Sequence, residues 1–246
     1  MRKLIIALLL VAAPALGLAA GSGVALEKAD VDLGNQASLQ RGAAIFSNYC
    51  LSCHSAQYMR YQRVANDLGL TEEQVKENLM FTTDKIGEVM KVAMSSDDAA
   101  NWFGTTPPDL SVVARSRGAD WLYSYLKAFY VDESRPFGVN NAVFADVAMP
   151  HVLWELEGLK KPVYETHTSE GGRETETLVG YEMVRPGIYT EVEYDRAVND
   201  LVNYLVYMGE PAKLVRYELG IWVLLFLVLL FVVSYFLKKE YWKDVH

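Results

Sequence analysis

Only two cysteines, Cys50 and Cys53, occur in this chain, so no disulfide framework of any size can hold it together. Histidine is nearly as scarce. Apart from His54, the residues His151, His167 and His246 are scattered singly, which leaves a zinc site short of suitably spaced ligands. Basic side chains number 23 against 31 acidic ones, and the resulting formal charge of −8 argues against nucleic acid as a partner. A cationic protein would be steered towards such a surface, although the same charge also serves solubility.

The 246 residues carry a globular composition, 51% hydrophobic and 22% charged, but the apolar ones concentrate near the two ends. Arg2 and Lys3 precede an apolar run from Leu4 to Val11, and small residues follow at Gly17, Ala19 and Ala20. That three-part layout is a secretory signal, too short to span a bilayer, with cleavage expected near Ala20. Losing Arg2 and Lys3 with it leaves 21 basic against 31 acidic side chains, a net charge of −10.

At the other end, the 19 positions from Leu219 to Leu237 contain no charge and would reach about 28 Å as a helix, close to the hydrocarbon thickness. Trp222 on one side and Tyr235, Tyr241 and Trp242 on the other suit the interface belts, and Lys238, Lys239 and Lys243 form a basic flank. Because the signal exports everything before this span, the short tail is expected in the cytoplasm. Setting both ends aside leaves one soluble domain of about 190 residues.

The two cysteines belong to the run Cys50-Leu51-Ser52-Cys53-His54, the attachment signal for c-type haem. On a helical turn, residues i and i+3 share a face, so both thiols can reach the vinyl groups of one porphyrin. His54 follows directly and is placed to offer its imidazole to iron. A thioredoxin-like redox pair would need a preceding β-α-β pattern, which the sequence does not show.

The sixth iron position decides the function class, since an open iron binds small molecules whereas an iron with two protein ligands passes electrons. The chain after the signal offers Met59, Met80, Met90, Met94, Met149, Met183 and Met208. Met59 is too near the attachment turn, Met208 ends the last helix, and Met80, Met90 and Met94 fall in helical patterns where methionine fills a core. Met149 lies in a loop, Phe144 to His151, where Pro150 keeps the preceding residue extended. The residues favour Met149, with His151 as a competing ligand that would give a bis-histidine centre.

Arg41 to Tyr49 is expected as a short helix running into the motif. Far downstream, Tyr194, Val198, Leu201, Val202 and Leu205 form an apolar stripe, with Thr190 and Glu193 as its capping box. Gly42, Phe46, Leu201 and Tyr204 sit where the crossed first and last helices of class I cytochromes c require a glycine, an aromatic, a leucine and a tyrosine. Trp121, Tyr125 and Phe129, at i, i+4 and i+8 on a helix capped by Asp120, are expected to pack the core, with one or two lining the pocket. Val163 to Leu178, around Glu170-Gly171-Gly172, is expected as an exposed β-hairpin.

From end to end the order of features resembles cytochrome c1: signal, attachment motif, Pro107 to Ser111, Arg115 with Arg117, Met149-Pro150, a last amphipathic helix and one span. The resemblance implies a mainly α fold, a class I cytochrome c-like haem domain with a small β-hairpin excursion plus one C-terminal transmembrane helix. Expected divisions are 1–20 signal, 21–215 periplasmic haem domain, 216–237 span and 238–246 cytoplasmic tail, in a bacterial inner membrane.

It further implies one covalent haem c on Cys50 and Cys53, His54 and Met149 as iron ligands, Arg117 against a propionate, and Pro108 in the binding site. Implied partners are cytochrome b, the Rieske iron-sulfur protein, a cytochrome c acceptor and membrane lipid, in a dimeric quinol:cytochrome c reductase. Asp97 and Asp98 could guide a basic acceptor or simply be solvated. As an electron carrier the isolated chain would catalyse nothing itself. An anchored cytochrome c serving a terminal oxidase or another respiratory complex is the alternative. With no further cysteine, the Met149 loop is expected to be held by packing alone.

Overall fold

A computed structural model describes residues 24–168 and 174–244 of the chain, so the expected signal, the tip of the hairpin and the last two residues lie outside the described residues. Helix α1 (Gln36–Ile45) begins where Asn35 accepts a hydrogen bond from the Ser38 amide, and it continues into one wider π turn, Phe46–Cys50. It therefore starts earlier than the apolar pattern at Arg41 indicates, because the cap and not the first apolar residue sets the beginning. Strand β1 (Ala56–Arg60), helices α2 (Tyr61–Leu68) and α3 (Glu72–Asn78), strand β2 (Val89–Met90) and helix α4 (Ser96–Phe103) follow. Next come α5 (Val113–Arg117), α6 (Ala119–Lys127), and the short strands β3 (Phe129–Val131) and β4 (Val139–Asn141). A single helical turn, α7 (Trp154–Glu157), leads into the long hairpin β5 (Gly158–Thr168) and β6 (Glu174–Pro186). Helix α8 (Glu191–Gly209) closes the soluble domain, and α9 (Lys213–Tyr241) ends the described chain. Among the described residues there are three two-stranded sheets, each antiparallel.

The domain is organised around the crossing of α1 and α8. A Cβ on Gly42 would lie 2.1 Å from the Asp200 carbonyl oxygen and 2.7 Å from Tyr204 Cβ, so only glycine lets these backbones meet. Phe46 and Tyr204 stack obliquely there at 5.6 Å, and Arg41 forks onto the Asp200 carboxylate at 2.6 and 2.9 Å. Leu201, Tyr204 and Phe46 are almost fully buried, as the pattern requires. The predicted Thr190 and Glu193 capping box is present at the start of α8.

Several expectations change: Phe129 falls in strand β3 and not on α6, which ends at Lys127, and Met80 lies two residues past the end of α3. Asp120 does not cap α6, which begins one residue before it; its carboxylate accepts the Ala29 amide at 2.9 Å instead. The segment before α1 thus straps the domain: Asn199 exchanges two hydrogen bonds with Asp30, and Asn203 donates to Asp32. Met90 is in strand β2, where it pairs with Ala56 of β1 and closes no helical turn, and Met94 is in a bend. Met90 remains core filler, fully buried under the Tyr204 hydroxyl.

Helix α9 is exposed along its whole length, with apolar side chains on every side from Leu219 to Leu237. A helix of that length and composition anchors in a bilayer, where its backbone polar groups are satisfied internally. Only residues 210–212 separate it from α8, and Arg216 pairs with Glu210 across this link at 2.9 Å.

Candidate haem site

The π turn at the end of α1 delivers Cys50 to the wall of a cavity of about 350 Å³. Tight backbone bonds from Cys53 N and His54 N to the Cys50 carbonyl, 3.1 and 2.8 Å, then bring Cys53 and His54 onto the same wall. Burial, with Cys53 close by, pushes the Cys50 thiol up to about 12, the reverse of the lowered value a thiolate redox pair needs.

His54 Nδ1 donates to the Pro108 carbonyl at 2.7 Å; since a carbonyl can only accept, the proton is on Nδ1 and Nε2 keeps its lone pair. Burial outweighs that contact and holds the imidazole below its ordinary value, which keeps it neutral and able to ligate. Pro108 is fixed in turn. Leu110 N bonds to Ser55 O at 2.8 Å, Gln57 N and Ser111 N donate to the Asp109 carboxylate, and the Ser111 hydroxyl accepts Tyr58 N. The Pro-Pro-Asp-Leu-Ser segment is therefore a bracket that clamps the strand after the motif and orients the imidazole.

Of the seven methionines considered, Met149 alone lines this cavity. Its sulfur accepts a hydrogen bond from the Tyr125 hydroxyl at 3.3 Å, and burial pushes that phenol upwards so that it stays a donor. His151 turns the other way. It is buried, stacked on Phe129 at 5.0 Å, and its Nε2 lies 2.9 Å from Glu157 Oε2, close enough for an ion pair when protonated but not aligned as a hydrogen bond. The other carboxylate oxygen of Glu157 pairs with Lys160, whose ammonium also donates to Lys127 O at 2.5 Å.

Arg117 lines the cavity with its guanidinium 4.9 Å above the Trp121 ring and 5.7 Å from Phe144, whereas Arg115 packs against Gly209 away from it. Trp121 and Tyr125 stack at 4.9 Å and both face the cavity; Phe129 stands behind them in a small cluster with Val139 and Val147.

The Met149 loop is held by more than packing. Asn141, fully buried, donates to Tyr125 O at 2.8 Å and accepts the Val143 and Phe144 amides. Asn140 accepts the amides of Asn141 and Asp146, and Arg135 grips the Asp146 side chain and carbonyl. Asp146 itself has φ 60°, a left-handed conformation that aspartate tolerates better than most residues. These side chains were not legible as site residues, because each acts on backbone groups distant in sequence.

An apolar slot with two thiols and an imidazole on one wall and a thioether and a guanidinium among its other lining residues fits a haem c. Residues 30–159 match the model of the Cytochrome C1 family. Over its full length the chain is 52% identical to the whole cytochrome c1 of Allochromatium vinosum. The chain belongs to the cytochrome c1 family. Membership makes it a haem c protein of electron transport, with its apolar terminal helix as a membrane anchor. A second relative, named ammonia monooxygenase gamma subunit, from Nitrosomonas europaea, is 49% identical over 99% of this chain and 97% of its own length. Similarity extends to the cytochrome c1 of Rhodospirillum rubrum, 26% identical over 86% of this chain and 83% of that one.

Proposed function

We propose that this chain is the electron-relaying subunit of a quinol:cytochrome c reductase, taking electrons singly from the Rieske iron-sulfur protein and passing them to a cytochrome c. The observation that carries this reading is that Cys50, Cys53, His54 and Met149 all face one apolar cavity, with His54 Nδ1 already committed to Pro108. When bound, haem c supplies a one-electron iron couple. Cys50 and Cys53 would tether it, and His54 and Met149 would ligate its iron. The Arg117 fork suits a propionate carboxylate, and Pro108 fixes the tautomer and aim of the imidazole.

Two protein ligands leave no iron position for oxygen, which argues for relay over the oxygenase role in the name of the Nitrosomonas relative. Asp97 and Asp98 lie exposed on the first turn of α4, whose last residue, Phe103, lines the cavity; they supply negative charge for a basic acceptor. In this reading residues 1–20 are the export signal, 21–215 the periplasmic domain, 216–237 the span beside cytochrome b, and 238–246 the cytoplasmic tail. The assembly is a dimeric complex in a bacterial inner membrane.

Substituting Met149→Leu tests the ligand set. The reduced-minus-oxidised spectrum should lose its low-spin, methionine-ligated signature, and the reduced variant should bind carbon monoxide that the wild type resists. A wild-type spectrum in the variant would remove Met149 from the iron. Purification from native membranes should recover cytochrome b and the Rieske protein; recovery with oxidase subunits would favour the anchored-cytochrome alternative.

A further inference from the structure

We propose that Tyr125 is a potential-setting residue, its hydroxyl raising the reduction potential of the centre by hydrogen-bonding the Met149 sulfur. The inference rests on Met149 as an iron ligand and extends that reading to a residue that does not itself ligate.

The geometry is specific. The Tyr125 hydroxyl donates to Met149 Sδ at 3.3 Å. Its ring is clamped between Trp121, stacked at 4.9 Å with 9° between the planes, and Phe129, edge-on at 5.3 Å and 68°. Its carbonyl is held by Asn141, the residue that also folds the start of the methionine loop. Donor and acceptor are therefore fixed by the same buried amide, so the contact does not depend on a freely rotating side chain.

A thioether has little acceptor strength, and a hydrogen bond to it draws electron density off the sulfur. That sulfur then donates less to ferric iron, which needs the density more than ferrous iron does. The positive end of the O–H dipole also points towards the ligand, and in an apolar pocket with low effective dielectric it opposes the extra positive charge of the ferric state. Both effects have the same sign. An ordinary phenol keeps its proton at neutral pH, so the contribution is constant across the physiological range. Hydrogen bonds next to a metal ligand are an established lever on potential.

The test is redox titration of the full-length holoprotein in its native membrane complex. Tyr125→Phe removes one oxygen and leaves the Trp121 and Phe129 contacts in place. It should shift the reduction equilibrium about threefold towards the ferric form, about 30 mV at 59 mV per tenfold change for one electron. Site-specific replacement of Tyr125 by 3-fluorotyrosine makes a stronger donor of the same shape and should move the midpoint the opposite way. A merely structural role would move both variants in one direction. An unchanged or raised midpoint in Tyr125→Phe, or shifts of equal sign in the two variants, would overturn the proposal. If Tyr125→Phe fails to retain haem, the fluorinated protein decides alone: a raised midpoint supports the proposal, and an unchanged or lowered one overturns it. A wild-type spectrum in Met149→Leu would instead show that the ligand reading had failed. An altered spectrum there, with no effect at Tyr125, would overturn only the tuning role.

Discussion

Gly42→Ala is expected to destabilise the haem domain by about 3 kcal/mol, at the upper end of what overpacking a tight contact costs. An added methyl would meet the Asp200 carbonyl oxygen at 2.1 Å and Tyr204 Cβ at 2.7 Å, and neither can swing aside, because one is helix backbone and the other the root of a buried side chain. Alanine is the better helix former by up to about 1 kcal/mol, so the propensity gain recovers only a fraction of the loss. Chemical denaturation of holoprotein should show a lower midpoint with an unchanged slope. A midpoint equal to or above that of the wild type would mean the helices do not touch here. Because α1 runs straight into the π turn that carries Cys50, separating the helices should also lower haem incorporation, and Gly42→Val should do so more strongly.

Asn141→Ala should open the methionine side of the cavity. The change leaves the Val143 and Phe144 amides without their partner, in surroundings that are buried or half-buried, and takes from the Tyr125 carbonyl one of its two donors, Ala128 N remaining at 3.2 Å. At about 1 kcal/mol or more for each of the two stranded amides, the loss comes to about 2 kcal/mol, concentrated in one loop. Such a loss need not unfold the domain, since the α1 and α8 crossing lies elsewhere. Its signature should be local: carbon monoxide binding to the reduced variant while the attachment turn and the thermal transition of the helices persist. If Asn141→Ala resists carbon monoxide as the wild type does, the amide is not what holds Met149 in place.

Much of this arrangement could be read from the chain because it depends on local order. The Cys50 to His54 spacing, the Thr190 capping box and the uncharged span are each set by neighbours along one helix or turn, and Gly42 with Phe46, and Leu201 with Tyr204, are each spaced along a single helix although they meet across the crossing. The choice between Met149 and His151 is different in kind. On an evenly extended segment, residues two apart share a face, so both would point at the ring. A turn begins at His151, where Trp154 N bonds back to its carbonyl, and this breaks the alternation and sends the imidazole to Phe129 and Glu157. There it meets Glu157 and Lys160, a buried charge cluster that no spacing rule announces. The clamps made by Asn140 and Asn141 escape notice for the same reason, and Asp120, which has the look of a helix cap, is diverted to the strap before α1.

Three residues join the last soluble helix to the membrane anchor, and Arg216 and Glu210 are paired across them. Even fully extended, such a connection reaches only about 10 Å. The soluble head is thus moored on a short line and is kept close beside the point where its anchor enters the bilayer.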